Sequence, residues 1–455
     1  MSDAIRSNTL ESDTNDTLPV GWRQASLAEV AEIRISNVDK KSAVGEIPVR
    51  LCNYIDVYKN VYITAALDFM EATATPSEIA RFCVDLGDVM ITKDSETPDD
   101  IGVPAVAIWS DPKLVCGYHL ALFKPHRDQI DPVFLAKQLR LPRIAAYYGR
   151  LACGSTRYGL SNSGIARTPL RFPPLPQQRK IARILTTVDN LIEKTEALIA
   201  KYQAIKQGMM HDLFTRGVDE HGHLRPQYEE APELYKQSEL GWIPKEWNVQ
   251  RLGGITLKIA DRDHFTPAYV EYGVPMISPK DFVRFDRISF ANCQFITAEA
   301  HERNRRKTDI GPDDVVFTRI GAALGKACLV TADMPEFSLL HSAVMIRANT
   351  DRILPMYLVH VLKSFYFQSQ IGSEIQSIGV PDLGLDKINA FRIKVPKLNE
   401  QGKCAAILNA IDASIASEDR ELTALQQQKT GLMQDLLTGK VRVKVDEAEE
   451  VAAHA

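Results

Sequence analysis

The chain contains one pattern twice, and this internal repeat restricts its fold more than any other feature. With an offset of 223 residues, Pro173–Thr215 aligns without a gap on Pro396–Thr438, and 16 of the 43 aligned positions are identical. Average residue usage would give about two or three identities. Further upstream, the strand-like run Asp88–Thr92 matches Asp314–Thr318. The repeat therefore predicts the order globular domain, long helix, globular domain, long helix.

Apolar residues in the two long segments return at alternating steps of three and four residues. This period of 3.5 is typical of a coiled-coil seam. The first segment predicts a seam, interrupted at Thr195, through Ile181, Ile184, Val188, Leu191, Leu198, Tyr202, Ile205 and Met209. The second segment predicts a seam through Cys404, Leu408, Ile411, Ile415, Leu422, Leu425, Leu432 and Leu436. Gly217 and Gly439 are expected to end the helices.

The globular halves alternate short β-branched or apolar runs with proline, glycine and a few helical stretches, which predicts an α+β fold class. A polar, proline-containing stretch separates the halves and marks a boundary. We place a disordered N-terminus at 1–17, the first domain at 18–171, the central helix at 172–217, a linker at 218–242, the second domain at 243–394, the distal helix at 395–440 and a disordered acidic tail at 441–455.

Composition bounds the class of protein. The chain is 45% apolar and 25% charged, near the globular average. The sequence contains neither a run of 18 apolar residues nor a secretory signal, so we expect a cytoplasmic protein without a membrane partner. The seven cysteines are scattered without a CxxC pair, which favours reduced thiols. The net charge of −4 argues mildly against DNA binding, although positive charge can be confined to one face or supplied by partner subunits.

Motifs for catalysis were sought and not found in the sequence. The string most like a phosphate-binding loop, Ile320–Cys328, has Ile in place of the first glycine and Ala327 in place of the metal-binding hydroxyl. The prolines of Arg171–Pro176 lack the polar residue of an amino-methyltransferase motif. His221 and His223 have no flanking metal ligands. The sequence therefore predicts no catalytic residue and no metal site.

Several basic and hydroxyl-bearing segments suit nucleic acid, because arginine can bind phosphate or the edge of guanine. A solvated basic loop is the alternative interpretation of each. The candidates in the first domain are Lys93, Ser155, Thr156, Arg157 and Tyr158, and those in the second domain are Arg284, Arg303, Arg305, Arg306, Lys307, Arg319 and Lys326.

Three motifs together resemble the specificity subunit of Type I restriction-modification systems, and the resemblance covers nearly the whole chain. The helix starts read PPLPQQRKIARIL and VPKLNEQGKCAAIL, and the helix ends read GMMHDLFTRG and GLMQDLLTGK. The stretch LYKQSELGWIPKEW resembles the family's entry into its second recognition domain. Gln177 stands where the second copy has Glu400, a small departure.

The resemblance implies two target-recognition domains joined by antiparallel helices with pseudo-two-fold symmetry. Each domain would read half of a split, asymmetric site in double-stranded DNA, and the helices would set the spacer. Two adenine methyltransferase subunits would dock on the helices and restriction-translocase subunits would join them. S-adenosylmethionine, ATP and Mg²⁺ would belong to those partners, and this chain would hold no cofactor.

Two other functions stay open from the residues alone. A stand-alone DNA-binding regulator would bind DNA tightly without partners. A coiled-coil scaffold would show no salt-dependent DNA binding. The chain repeats a globular domain followed by a long helix and has no excess of basic residues. This combination favours a specificity subunit that depends on partners.

Overall fold

The computed structural model describes residues 18–262, 267–283, 287–375 and 381–445. The chain divides into two compact units. The first unit contains the residues up to Thr195 together with those from Glu421, and the second contains Glu196–Arg420. The predicted disordered N-terminus at 1–17 and most of the predicted acidic tail lie outside the described residues.

The first unit is built around two sheets. Its elements are β1 (Arg23–Ser26), α1 (Leu27–Val30), β2 (Ala31–Ile35), β3 (Ile47–Cys52), α2 (Tyr54–Lys59), β4 (Tyr62–Ile63), β5 (Met70–Ala74), α3 (Pro76–Phe82), β6 (Val89–Thr92), β7 (Asp94–Ser95), β8 (Pro104–Ala107), β9 (Leu114–Cys116), β10 (Leu120–Pro125), α4 (Pro132–Leu139), α5 (Pro142–Leu151), β11 (Tyr158–Gly159), α6 (Asn162–Ala166) and β12 (Pro169–Phe172). The larger sheet has the order β2-β10-β6-β8-β4 and the smaller the order β5-β3-β9.

The central strands of the larger sheet contain continuous apolar runs, Val89–Ile91 in β6 and Leu120–Phe123 in β10, because both faces of the sheet are covered. In β6, Val89 and Ile91 enter one core cluster, while Met90 enters the other. In β10, Phe123 and Leu122 divide in the same way. A strand buried on both sides gives a continuous apolar run rather than an alternating one.

The second unit repeats this arrangement. Its elements follow α7 (Leu175–Thr215) and are β13 (Tyr235–Ser238), β14 (Gly241–Pro244), β15 (Asn248–Arg251), β16 (Thr256–Ala260), β17 (Val274–Ile277), β18 (Phe282–Val283), β19 (Arg287–Ile288), β20 (Gln294–Ile296), α8 (Ala298–Arg305), β21 (Val315–Thr318), β22 (Ala327–Leu329), β23 (Ser338–Leu339), β24 (Ala343–Ala348), α9 (Pro355–Lys363), α10 (Phe365–Glu374), α11 (Leu385–Ala390), β25 (Arg392–Val395) and α12 (Leu398–Leu436). The sheet β16-β24-β21-β22 corresponds to β2-β10-β6-β8, and β20-β17-β23 corresponds to β5-β3-β9.

The two long helices each contribute to both units. The first unit contains the beginning of α7 and the end of α12, and there Leu185 of α7 shares a core cluster with Leu436 of α12. The second unit contains the end of α7 and the beginning of α12, and there Leu213 shares a core cluster with Leu408. Within each unit the paired helix segments therefore run antiparallel, as the resemblance implied, and the predicted α+β fold class is confirmed.

The seam predicted along α7 is wrong at two of its eight positions. In the first unit Leu185 is buried, whereas the predicted Leu191 is 44% exposed. In the second unit Ile199 is buried, whereas the predicted Ile205 is 42% exposed. The physical reason is that adjacent apolar pairs, such as Ile184 and Leu185, fit two helical registers equally well. Packing within the first unit buries Leu185 and leaves Ile184 half-buried.

The remaining seam residues lie on or beside the packed faces. In α7, Ile181 and Val188 are buried and Ile184, Leu198, Tyr202 and Met209 are half-buried. In α12, Leu408 and Leu436 are buried and Ile411, Ile415, Leu422, Leu425 and Leu432 are half-buried.

Each long helix ends two or three residues before a glycine that a tryptophan covers. Gly217 has φ +62° and Gly439 has φ +76°, conformations that favour glycine. A Cβ atom on Gly217 would overlap the ring of Trp247, and one on Gly439 would overlap the ring of Trp22. A substitution at either glycine would therefore disturb both the backbone and the adjacent indole.

Candidate nucleic-acid interface

The fold of the first unit brings together the two candidate segments that are distant in sequence. β7 pairs antiparallel with β11, so that Ser95 lies opposite Tyr158. The backbone N–H of Leu160 donates to the carbonyl of Lys93 over 3.0 Å. Ser155, Thr156 and Arg157 are exposed in the loop before β11, while Tyr158 is half-buried. The loop and the Lys93 strand therefore form one surface.

This surface opens into a cleft of about 470 Å³. Its wall includes the stacked rings of Tyr54 and Tyr58, whose centroids are 5.5 Å apart, and Arg157. The Asp94 carboxylate also lines the cleft, and it contacts Nδ1 of His119 at 2.8 Å and Nζ of Lys93 at 3.3 Å. A guanidinium, aromatic rings and a carboxylate can contact a phosphate, a base ring and an exocyclic amino group respectively.

The hydroxyl of Tyr58 is held inside the cleft. It donates to Oδ2 of Asp100 over 2.5 Å. This hydrogen bond, with burial as a smaller cause, raises the pKa of Tyr58 to about 12. The hydroxyl therefore stays protonated at physiological pH.

In the second unit, the basic candidates gather at the end of a helix. The side chain of Thr297 caps α8 by accepting from the N–H of Ala300 over 3.2 Å. Beyond this cap, Arg303, Arg306 and Lys307 are exposed at and after the last turn. The exposed guanidinium groups of Arg303 and Arg306 can reach phosphates.

Arg305 differs from its basic neighbours. Its Nη1 lies 3.3 Å from Glu302 and 3.8 Å from Glu336. These carboxylates neutralise its charge locally, so it is less available to a phosphate than Arg306.

Arg319 is buried rather than exposed. Its side chain is 5% exposed, and it pairs with Asp261 at 3.0 Å and with Asp382 at 2.6 Å. Its Nε also donates to the carbonyl of His341 over 3.0 Å. These bonds tie the end of β21 to neighbouring loops, and the burial argues against a direct DNA contact.

The other two second-domain candidates are less exposed or not described. Lys326 is half-buried, and its Nζ donates to the carbonyl of Phe282 over 2.9 Å. Arg284 lies outside the described residues.

A buried glutamine supports each unit in the same way. Nε2 of Gln178 donates to the carbonyls of Gln129 and Pro173, and its Oε1 accepts from the N–H of Asp131. Gln401 makes the same three bonds to Arg352, Pro396 and Leu354. All three partners are shifted by the repeat offset of 223. The sequence showed this glutamine as an identity in the repeat, and the structure supplies its role.

A buried ion-pair cluster joins the two helix segments of the first unit. Asp189 of α7 pairs with Lys137 of α4, and with Nζ of Lys429 of α12 at 2.7 Å. The hydroxyl of Tyr62 donates to the same carboxylate over 2.7 Å. Burial alone would raise the pKa of Asp189, but the hydrogen bond and charge of Lys137, followed by the hydrogen bonds of Lys429 and Tyr62, lower it overall.

The second unit contains a related but simpler pair. Asp412 of α12 pairs with Lys206 of α7. The repeat offset maps Asp189 onto Asp412 and Lys206 onto Lys429. In the first unit the aspartate comes from α7 and the lysine from α12, and in the second unit the aspartate comes from α12 and the lysine from α7. At the place of Lys137, α9 carries His360, whose Nε2 contacts Oδ1 of Asn409 at 2.8 Å. Burial lowers the pKa of His360 to about 4.

Two negative findings apply to the part of the chain that the structure describes. Within residues 18–445, apart from the short undescribed stretches, no group of histidine, cysteine and carboxylate side chains is arranged to hold a metal ion. Among the same residues, no helix combines the length and hydropathy that crossing a membrane requires.

The chain contains the same mixed α/β domain twice, each packed on segments of the two long helices. One unit has a polar cleft and the other a basic helix end, which is the organisation of a protein with two recognition domains. The chain matches the family described as Type I restriction modification DNA specificity domain twice, over residues 19–203 and 244–427. The chain belongs to this family, and the predicted resemblance to specificity subunits is confirmed.

One relative matches nearly the whole chain, and another matches more than half of it. A putative Type I restriction enzyme MjaX specificity subunit from Methanocaldococcus jannaschii is 25% identical over 442 residues, which are 94% of this chain and 95% of the relative. The MjaVIII specificity subunit of the same organism is 29% identical over 60% of this chain and 62% of its own length. A crystal structure of a Type I system S subunit from M. genitalium has a TM-score of 0.57 at 15% identity, covers 93% of this chain and 98% of its own, and supports the fold alone.

Proposed function

We propose that each unit reads one half of a bipartite, asymmetric site in double-stranded DNA. The observation that carries the proposal is the contrast between framework and surface. The sheet order and the three bonds of Gln178 and Gln401 recur in both units. Among the residues that the structure describes, the candidate surfaces differ, since one unit has an aromatic cleft and the other a basic helix end. Two similar frameworks with different surfaces suit two different half-sites.

The cleft of the first unit and the end of α8 in the second unit are the proposed contacts. Arg157 and the exposed hydroxyls of Ser155 and Thr156 would hold the backbone, while the cleft would meet base edges. In the second unit, Arg303, Arg306 and Lys307 would bind phosphates or guanine.

The long helices are proposed to set the spacer between the half-sites. α7 has 41 residues and α12 has 39, or about 60 Å each at roughly 1.5 Å per residue. Readers that meet the same face of DNA must be separated by about 34–36 Å for one helical turn. Helices of this length are sufficient for that separation.

We further propose that the helices dock two adenine methyltransferase subunits, which restriction-translocase subunits then join. Leu191 in the first unit and Ile205 in the second are the exposed apolar side chains of α7 that such a partner would cover. S-adenosylmethionine, ATP and Mg²⁺ would be bound by the partners. The chain itself would then direct methylation and restriction without catalysing either.

A domain exchange tests the division of labour. Residues 18–171 are replaced by the equivalent domain of a relative with a different target, and N6-methyladenine is mapped by sequencing in cells that carry the methyltransferase subunit. We expect one half of the methylated motif to change and the other half and the spacer to stay. The matched control replaces 243–394 and should change the opposite half. If one exchange changed both halves of the motif, independent reading would be contradicted. As a control, cells that carry the methyltransferase subunit without this chain should show no methylation of the motif.

A further inference from the structure

The segment between α7 and the second domain gathers three aromatic residues beside the last turns of the helix. The rings of Tyr228 and Trp242 are stacked with centroids 4.2 Å apart, and Tyr235 meets Tyr228 edge-on at 6.0 Å. The hairpin of β13 and β14 positions two of these residues, with Gln237 opposite Trp242. The hydroxyl of Tyr235 donates to the carbonyl of Pro226 over 2.5 Å, which fixes the ring. The aromatic group is therefore an ordered part of the second unit.

These rings line a pocket of about 350 Å³. Its other walls come from the end of α7, including Asp212 and Arg216, and from Glu229. Trp242 is 44% exposed, so the indole has one side on Tyr228 and much of the rest in solvent. An exposed indole of this kind is typical of a site that a partner covers.

The charges in the pocket leave one carboxylate available. Arg216 is neutralised by Asp212, with Nη2 and Oδ2 3.0 Å apart. Glu229 is exposed, and among the described residues it forms no ion pair. The pocket therefore offers an aromatic face next to a free negative charge, which is the combination that binds a cationic side chain.

The charge of the surrounding segment favours a basic protein surface over DNA as the occupant. Residues 218–247 contain seven acidic and three basic residues, for a net charge of −4. The whole chain contains 58 acidic and 54 basic residues, so this segment carries the entire net charge and the rest sums to zero. Phosphates would be repelled here, whereas a basic protein surface would be attracted.

We infer that this pocket binds an arginine side chain of the methyltransferase subunit that docks on α7, an inference that rests on the proposed function. Arginine fits better than lysine because its planar guanidinium can stack on the free face of Trp242 while its N–H groups donate to Glu229. The pocket adjoins the last turns of α7, so a subunit seated on that helix reaches it. The aromatic group occurs in only one copy in the sequence, which gives the subunit at this end of α7 a contact that the other lacks.

Calorimetric titration of the full-length chain with the methyltransferase subunit tests the pocket. Trp242→Ala should weaken binding about tenfold or more, in the range of interface hot spots. Trp242→Phe keeps an aromatic face and should stay within about threefold of the unmodified chain, and Glu229→Gln should weaken binding by an intermediate factor. Tyr272→Ala is the matched control, because Tyr272 is an 82% exposed aromatic of the same unit outside the pocket. Circular dichroism checks that each variant folds.

The experiment distinguishes failure of the proposed function from failure of the pocket inference. If the unmodified chain does not bind the methyltransferase subunit, the proposed function is wrong. If it binds and Trp242→Ala behaves like Tyr272→Ala, the pocket inference alone is overturned.

The occupant is identified by photo-crosslinking in the assembled complex. With p-benzoylphenylalanine at position 242, the crosslink should lie within a few residues of an arginine of the methyltransferase subunit. Changing that arginine to alanine should weaken binding no further in the Trp242→Ala background, since contacting residues are not additive. A crosslink to DNA or to a segment without arginine, or fully additive losses, would overturn the assignment.

Discussion

In the first unit the helix carboxylate Asp189 binds Lys137, Lys429 and Tyr62, whereas its counterpart Asp412 in the second unit pairs with Lys206. The Lys137 and Asp189 side chains are 1% and 8% exposed, while those of Lys206 and Asp412 are 13% and 27% exposed. The glutamine framework is the same in both units. The comparison teaches that the repeat preserves the bonds that hold the main chain, while the charges around the helices have diverged.

The largest expected difference concerns these carboxylates. Asp189→Ala leaves Lys137 buried without its counter-charge and should lower the free energy of unfolding by about 3–5 kcal/mol. Asp412→Ala should cost about 1 kcal/mol or less, because Lys206 can turn toward water. Urea unfolding followed by circular dichroism measures both variants. Equal losses would show that the two ion pairs are energetically equivalent despite their different burial.

The two buried glutamines, in contrast, should contribute equally to the free energy of unfolding. Gln178→Leu and Gln401→Leu each remove three hydrogen bonds to buried main-chain groups, and each should cost about 3 kcal/mol. The same urea experiment applies, with exposed Gln203→Leu and Gln426→Leu on the two helices as matched controls. If only one of the two variants lost stability, the same hydrogen-bond geometry would not contribute equally to the free energy of unfolding in the two units.

A pH dependence should distinguish the second unit from the first. The pKa of His360 is about 4 in the folded chain because burial disfavours its charge, whereas an unfolded histidine has a pKa near about 6.5. Between these values the unfolded state binds more protons, so the contribution to stability is complete above about pH 6.5 and is lost as the pH falls toward 4. By pH 4 the loss should reach about 3 kcal/mol.

His360→Gln isolates this contribution, since other groups titrate alike in both proteins. The charged and polar groups around His360 are Asn409, Lys363, Lys206 and Asp412, and they stay in place in the variant. The stability difference between the unmodified chain and His360→Gln should change across pH 4.5–7. Parallel stability curves would contradict the assignment. The first unit has Lys137 at the equivalent position, so no histidine there should add to the pH dependence of stability.

The smallest expected effect concerns the reading surface of the second unit. If Arg306 binds a phosphate, Arg306→Ala in the assembled complex should weaken DNA binding by about tenfold or less, and should reduce the salt slope of log K by about 0.9. Arg305→Ala should change the slope less, because Glu302 and Glu336 already neutralise it. Fluorescence anisotropy at 50–200 mM salt measures both, and an unchanged slope for Arg306→Ala would remove that residue from the interface.

The sequence by itself determined the repeat, the two long helices and the family. These features are local or periodic, so they are visible in residue order: an offset of 223, a 3.5-residue apolar period and the glycines at the helix ends. Gln178 and Gln401 are one of the 16 identities of the repeat, but their hydrogen bonds became known only from the structure.

Only the tertiary structure decided which of two adjacent apolar residues is buried. Ile184 and Leu185 are equivalent to a periodicity argument, and packing in the first unit selects Leu185. The same holds for charge: Arg319 and Arg306 are alike in sequence, yet one is enclosed by two carboxylates and the other faces solvent. Burial and pairing depend on side chains that lie far apart along the chain, as Lys137 and Asp189 do, and residue order carries no direct record of such contacts.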